Sequence, residues 1–523
     1  MRSGKKIPLA MSSVVLLAIL ASCSGGGDKA DTSTSGAELE AWVSNEKVTS
    51  EAYLFSEIEK EFGVNINVKM RGVGAQDYVD KLNVQISSGE IPDWINDYAV
   101  NVGLFDKYVE QGILAEVPVE MIKANMPNYM AWVDKYKEIF KGDPFALFER
   151  NGKNYTIPTA NPDLTKFLVM YYRQDWLDAV GIKKTPESLA EMEEALVKFR
   201  NDDPDGNGQK DTYGYLGIQK DPMWAFSPIY GAYGMYPGLW TEKDGRIARD
   251  EIDPKMKEVL TLLNDWYNKD LIDPEWVALD FDQARNKIIS SKVGATWQNI
   301  NAGQEGTGWY APIKDVAPKA SWALSPGPTG PNGDHGIMHF NPIAGMGIMF
   351  GKQLEKNPEK MKKYLQIFDK VNNDIAWLEK RSYGEEGKTF KKENGGYTWL
   401  PPYDKADERQ KLGLGEARFP TLEPPFLDVY KENELLPTAK DREYKIKAQT
   451  IATGKYDLLT PFSKPEYDKV STKLTDLTTK AYTDFITGKR PISEFDAYVA
   501  EWKKLGGDQA MEEAQQIYDK VYK

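Results

Sequence analysis

Counting from Asp203, the stretch DDPDGNGQKD (residues 202–211) sets Asp203, Asp205, Asn207, the Gln209 carbonyl and Asp211 at loop positions 1, 3, 5, 7 and 9, with Gly208 at position 6. By that spacing a turning loop surrounds Ca²⁺ with oxygen ligands, and the glycine permits the sharp bend. Position 12, a bidentate glutamate in an EF-hand, is Gly214 here, and the flanks read as a helix before and a strand after. The loop is therefore no helix-loop-helix sensor, and further oxygens are expected from Thr212, water or elsewhere. Without an ion, three carboxylates crowd one turn and repel one another. No catalytic partner lies near the loop in sequence, so the expected cofactor is a structural Ca²⁺ that pins the end of the preceding helix. A solvated Asx-turn is the alternative.

Other chemistry is sparse. His335 and His339 are spaced H-x-x-x-H, but they lack the glutamate of the zinc-protease motif and follow the loop GPTGPNG into an apolar strand. Neither a G-x-S-x-G elbow nor a Walker-type phosphate loop is present. Paired-carboxylate glycosidase chemistry leaves no linear signature, because its two acids need only lie about 5–9.5 Å apart in space. It is the main enzymatic alternative.

Aromatic residues offer a different chemistry. The chain holds 14 Trp and 28 Tyr, and MWAFSPIYGAYGMYPGLW (residues 223–240) places six large rings among glycines and prolines with no regular period. Rings on such a backbone suit flat, amphipathic ligands: a sugar's C–H face stacks on the ring while its hydroxyls reach polar neighbours. For any single ring, packing on the core is the competing expectation.

The 523 residues allow two domains or one large bilobal body. With 79 acidic against 66 basic residues the net charge is -13, which repels phosphate backbones and argues against nucleic-acid partners. Residues 1–22 carry Arg2, Lys5 and Lys6 before an apolar run, the layout of a secretory signal. No other segment is apolar enough to span a bilayer. The only cysteine, Cys23, directly follows Leu20-Ala21-Ser22, in the manner of a bacterial lipobox whose cysteine is lipidated. Residues 23–36 then read as a flexible tether, because SGGGDKADTSTSG is too poor in apolar groups to order.

From Leu39 onward the chain alternates strands and helices. LEAWV (39–43) and VNINVKM (64–70) have period-two apolarity around a helical stretch, which predicts a βαβ unit. Thr185-Pro186, Asp253-Pro254 and Asn357-Pro358 predict helix starts. Beyond Pro465 the chain reads as mainly helical, broken at Gly488, Pro491 and Gly506-Gly507.

The stretches SSGEIPDWI (87–95), YYRQDWLDAVGI (171–182), DPDGNGQKDTYG (203–214), NKDLIDPEW (268–276), SSKVGATW (290–297) and TGKRPISEFDAYVAEWKKLGGDQ (487–509) together carry a resemblance. In this order the chain resembles the lipid-anchored extracellular solute-binding proteins of ABC importers, in their large oligosaccharide-binding branch that includes alginate-oligosaccharide binders. The resemblance implies an α/β fold of the type II periplasmic-binding-protein class. Its two lobes would be residues 37–160 with 320–378 and residues 161–319 with 379–523, joined by a hinge with the ligand cleft between them. It likewise implies structural Ca²⁺ in the acidic loop.

Residue by residue, the resemblance makes Tyr172 a sugar-contacting strand-end tyrosine and Trp297 a stacking tryptophan. It sets Trp94, Asn96, Asp97 and Tyr98 on the first-lobe wall, and Arg173 as a candidate for an anionic sugar, with an ion pair to Asp175 as its competitor. Trp224, Tyr230, Trp240 and Trp399 rest on aromatic composition, and Trp42 is a further candidate on the first strand. The expected protein is a monomer, anchored by lipid to the outer face of the cytoplasmic membrane. There it captures an oligosaccharide for permease subunits without breaking a bond. A glycosidase is the rival, and a peptide-binding lobe pair the third possibility.

Overall fold

Period-two apolarity at the start of the folded body does make a parallel pair. In a computed structural model, β1 (Ala37–Val43) and β2 (Val64–Met70) run side by side with Leu39 opposite Ile66, joined by α1 (Tyr53–Phe62). Leu39, Ala41 and Val43 are buried with Val64 and Ile66, the βαβ unit expected from the sequence. The structure describes residues 36–523 except 44–45, 71, 73–74, 97–99, 141–142, 306–307, 344, 394 and 415–438. The signal, Cys23 and all of the tether but Gly36 lie outside the described residues, as do Asp97 and Tyr98. No helix among the described residues is long and apolar enough to cross a membrane.

In chain order the remaining elements that position the site are β3 (Trp94–Ile95), α2 (Val102–Glu110), β4 (Thr156–Ile157), β5 (Leu168–Arg173), α3 (Leu189–Asn201), β6 (Tyr213–Tyr215), α4 (Met256–Asn268), β7 (Val293–Asn299), β8 (Trp322–Ser325), β9 (Ile337–Met338), β10 (Ile348–Phe350), α5 (Pro358–Asn373), α6 (Ala439–Ile451), β11 (Gly454–Lys455) and α7 (Pro465–Ile486). Two helices, Phe495–Trp502 and Asp508–Tyr522, complete the expected helical C-terminus.

Two large hydrophobic clusters form separately. The first gathers β1, β2 and the antiparallel sheet β3-β10-β4 around Trp94, Phe350, Leu365 and Phe368. The second surrounds a four-stranded sheet of order β8-β5-β7-β6, in which β7 lies antiparallel to β5 and parallel to β6. Every residue of β5 and of β7 is buried, as strands covered on both faces require.

Two expectations need correction. Residues 320–337 belong with the second cluster, because β8 pairs with β5 and Ile337 packs in that core. The helix expected after Thr185-Pro186 begins at Leu189 instead. Ser188 Oγ accepts from the Glu191 amide at 3.2 Å and the Glu191 carboxylate accepts from the Ser188 amide at 3.1 Å, a reciprocal cap that outcompetes the proline. Residues just before it stay extended through the Thr329 amide, which donates to the Glu187 carbonyl at 2.7 Å. Asn357 does cap α5, accepting from the Lys360 amide at 3.1 Å. At Asp253 the carboxylate accepts from the Lys255 amide at 2.9 Å, and α4 follows at Met256.

The chain crosses between the clusters near residues 161–167 and again near 339–343, and these crossings are tied together. Residues Pro162–Lys166 form a 3₁₀-helix. The Asn161 amide donates to the Pro342 carbonyl at 2.8 Å, and the Phe340 amide to that of Leu164 at 3.3 Å. The Ile337 and His339 amides donate to the carbonyls of Thr453 and Lys455, at 2.9 and 2.8 Å. Replacing Ser188 by Ala should lower stability by about 1 kcal/mol through loss of the cap, seen as a lower urea midpoint at unchanged slope.

Candidate functional site

A row of rings climbs from the second core to the surface at the crossing. Trp297 of β7 is buried, and its indole N–H donates to the Ala225 carbonyl at 3.1 Å. Trp224 stacks on it with centroids 6.1 Å apart, and Phe340 stacks on Trp224 at 5.5 Å and 24°. Phe167 meets Phe340 at 6.2 Å. Local sequence sets this mount: Asp221 accepts from the Met223 amide at 2.9 Å and Pro222 opens the short helix Pro222–Ala225 that carries Trp224. Gly217 lets that helix approach, since a Cβ there would lie 2.4 Å from the Ala225 carbonyl oxygen. Phe340 is 38% exposed, so the row reaches the surface.

Next to Phe340 the wall becomes polar. Asn341 donates to the Asp457 carbonyl at 2.6 Å, and the Asp457 carboxylate accepts from the amides of Trp240 (3.1 Å) and Leu459 (2.8 Å). A cavity of about 490 Å³ lies here between Asn101, Val102 and Gly103 at the start of α2, in the first cluster's part of the chain, and Trp240, Asp457, Lys464, Tyr467 and Asp468 on the other side. Behind it the Arg249 guanidinium lies 4.7 Å from the Trp240 ring and 5.6 Å from that of Tyr467, held by Glu251 at 2.7 Å. Burial pushes the Asp457 carboxyl up and the Lys464 ammonium down. Burial also raises Asp468, opposed by Lys464 and reinforced by the charges of Glu513 and of Asp106 on α2.

Of the ring candidates, the structure brings Trp224 and Trp297 together and sets Trp240 at the cavity. Trp42 and Trp94 instead pack edge to face at 6.1 Å inside the first core, with the Trp94 indole donating to the Glu40 carbonyl at 2.9 Å. Tyr172 and Tyr230 are fully buried, with hydroxyls that burial pushes up. Trp399 lies in a satellite cluster, between Tyr383 at 5.4 Å and the Arg409 guanidinium at 4.7 Å. Asn96 is half-buried and its amide donates to the Tyr78 hydroxyl at 3.1 Å.

Arg173 is a correction. It is 1% exposed, paired with Asp175 at 2.6 and 2.9 Å, donates to Ser291 Oγ at 2.8 Å and lies over Trp176. No side of it is left for a sugar. The irregular backbone expected for residues 223–240 is corrected too: two short helices put Phe226 and Tyr230 into the core. Sequence reasoning missed Phe340 and Phe167. The signal was the HFNP run, in which an aromatic residue stands between His339 and a turn-forming Asn-Pro.

In the acidic loop, Asp203 at φ +45° accepts from the amides of Asn207 (3.1 Å) and Gly208 (2.9 Å). The Asn207 side-chain amide donates to Asp205 at 2.9 Å and to Asp211 at 3.2 Å, while Lys292 pairs with Asp211. Burial and the neighbouring Asp203 raise the Asp205 carboxyl, with the charge of Asp211 adding to them. Lys292 lowers Asp211. Among the described residues no three acidic, histidine or cysteine side chains are grouped to hold a metal ion. Thr212 offers no hydroxyl, since its Oγ1 is buried and donates to the Phe199 carbonyl at 2.7 Å.

His335 is exposed, whereas His339 is buried in the crossing, where its Nδ1 accepts from the Leu168 amide at 3.3 Å. Burial depresses it to about 4.

The model of the bacterial extracellular solute-binding protein family matches residues 30–366. Lipoprotein LipO of Bacillus subtilis is 26% identical over 477 residues, covering 88% of each chain. The structure of the Streptococcus pneumoniae ABC-transporter substrate-binding protein FusA in complex with kestose aligns with a TM-score of 0.68 at 19% identity, over 93% of this chain and 99% of FusA. Alginate-binding protein AlgQ2, solved without calcium ion, aligns with a TM-score of 0.63 at 16% identity, over 92% and 97%. The shared fold is the two-lobed α/β fold expected from the sequence.

A His339 pKa near 4 in the fold against an ordinary 6.5 means that the unfolded chain binds the extra proton between those values. Stability from this group is complete above pH about 6.5 and is lost as pH falls toward 4, by on the order of 3 kcal/mol. His339→Gln should flatten that limb in melting temperatures measured from pH 7 to 4.

Proposed function

The chain belongs to the bacterial extracellular solute-binding proteins, and from that premise we propose that it captures an oligosaccharide between its lobes and hands it intact to the permease of an ABC importer. The observation that carries this reading is the ring row that reaches exposed Phe340, next in the chain to Asn341, whose side chain donates to the carbonyl of Asp457 in the wall of the cavity of about 490 Å³. Flat apolar faces take the C–H face of a sugar, and Asn101 and the neighbouring carboxylates supply polar partners. FusA is a substrate-binding protein solved with kestose, a ligand of this chemistry. In this reading the first lobe is residues 37–160 with 343–412 and the second is residues 161–342 with 440–523; residues 379–412, expected in the second lobe, go with the first because Lys380 pairs with Glu57 at 2.7 Å and the Leu54 amide donates to the Leu412 carbonyl at 3.2 Å. Cys23 carries the lipid that holds the monomer at the outer face of the membrane, in keeping with the name of LipO. No bond is broken.

Ca²⁺ belongs to the same proposal. The acidic loop offers oxygen ligands, its Asp205 is raised first by burial and then by Asp203 and Asp211, and Gly206 and Gly208 take φ of +68° and +75°. AlgQ2, of the same fold, was solved without calcium ion. Asp203, Asp205, Asn207, Gln209 and Asp211 would hold it and fix the end of α3.

Screening plant and algal oligosaccharides by thermal shift should find a sugar that raises the melting temperature, and mass analysis after long incubation should return it unshortened. Shortened products would establish the glycosidase, and stabilisation by peptides alone the peptide binder. Phe340→Ala should weaken binding of that sugar by roughly 1–3 kcal/mol, with little change in stability. A chelator should lower the melting temperature of the parent protein, and Asp205→Ala should remove the response to calcium. A parent indifferent to the chelator would refute the ion.

A further inference from the structure

Anionic and neutral sugars ask opposite things of the charges that line a cleft. Asp457 presents a fixed carboxylate whose two oxygens are both engaged by backbone amides. Asp468, exposed on α7, has no ion pair among the described residues. The one cation lining the cavity among those residues is Lys464, and its ammonium donates to the carbonyls of Leu459 (2.6 Å) and Phe462 (2.7 Å). Arg249, behind the rings, is closed off by Glu251. On the facing helix Asp106 is balanced by Arg150 at 2.7 Å. Arg173, the arginine from which an anionic ligand would have been argued, is buried in an ion pair with Asp175.

We infer that the cleft selects an uncharged oligosaccharide and rejects uronic-acid chains. The selection rests on the oligosaccharide-binding reading above and adds to it the charge of the ligand. A sugar carboxylate placed against Asp457 and Asp468 meets like charge that, among the described residues lining the cavity, only the carbonyl-bonded Lys464 opposes, whereas a neutral ring meets exposed Phe340 without that repulsion. The overall charge of -13 acts in the same direction at longer range.

Calorimetric titration of the full chain with matched trimers tests this. The neutral set is 1-kestose, maltotriose, xylotriose and mannotriose; the charged set is trigalacturonate and trimannuronate. Binding of a neutral trimer at least about tenfold tighter than either uronate at 50 mM salt is the expected result. A uronate bound as tightly as the best neutral trimer overturns the inference and leaves the oligosaccharide reading standing. Heat from none of the six overturns both. Asp468→Lys should strengthen trigalacturonate binding by roughly tenfold, a gain that shrinks at 0.5 M salt; no gain would overturn the role given to the carboxylate.

Discussion

Two hydrophobic clusters that close separately leave a seam, and every backbone amide in that seam still needs a partner. The rest of the structure follows from how this need is met. Leu168 finds an imidazole, Ile337 and His339 find the carbonyls of Thr453 and Lys455, and Asn161 finds Pro342. The crossing is thereby narrow and well bonded, and Phe340 is held at its surface by its neighbours. A ring that would otherwise collapse inward stands open because the segment bearing it is fastened on both sides.

The same economy of partners explains why most of the aromatic residues are not part of the candidate site. Trp42, Trp94, Tyr172 and Tyr230 fill the two cores, where large rings contribute most by leaving water. The row through Trp224 instead joins core to surface. Its inner member, Trp297, is anchored by a hydrogen bond, so the outer rings rest on a fixed base. A preset ring face loses little freedom when a ligand arrives.

Local signals in the sequence were enough for β1, β2, the start of α5 and the C-terminal helices, because period and capping act over a few residues. The reciprocal cap at Ser188 was equally local, yet the proline upstream drew the helix start three residues too early. What the sequence could not reveal depends on distant pairing. β8 joins β5 across some 150 residues of chain, which moves residues 320–337 into the second cluster. Arg173 and Asp175 stand two residues apart, but only the fold adds Ser291 and the covering Trp176. Phe340 reads as any apolar residue in a strand until the crossing exposes it. The resemblance supplied the two-lobed fold and Trp297 at the base of the row; it did not supply Phe340 or Phe167.

The 3₁₀-helix Pro162–Lys166 gives the crossing its mechanical character. Bonds from i to i+3 are poorly aligned and yield more readily than an α-helix or a ladder. The companion strand β9, by contrast, is clamped to β11. Of these two crossings the five-residue coil is therefore the more compliant, and the laddered strand the stiffer.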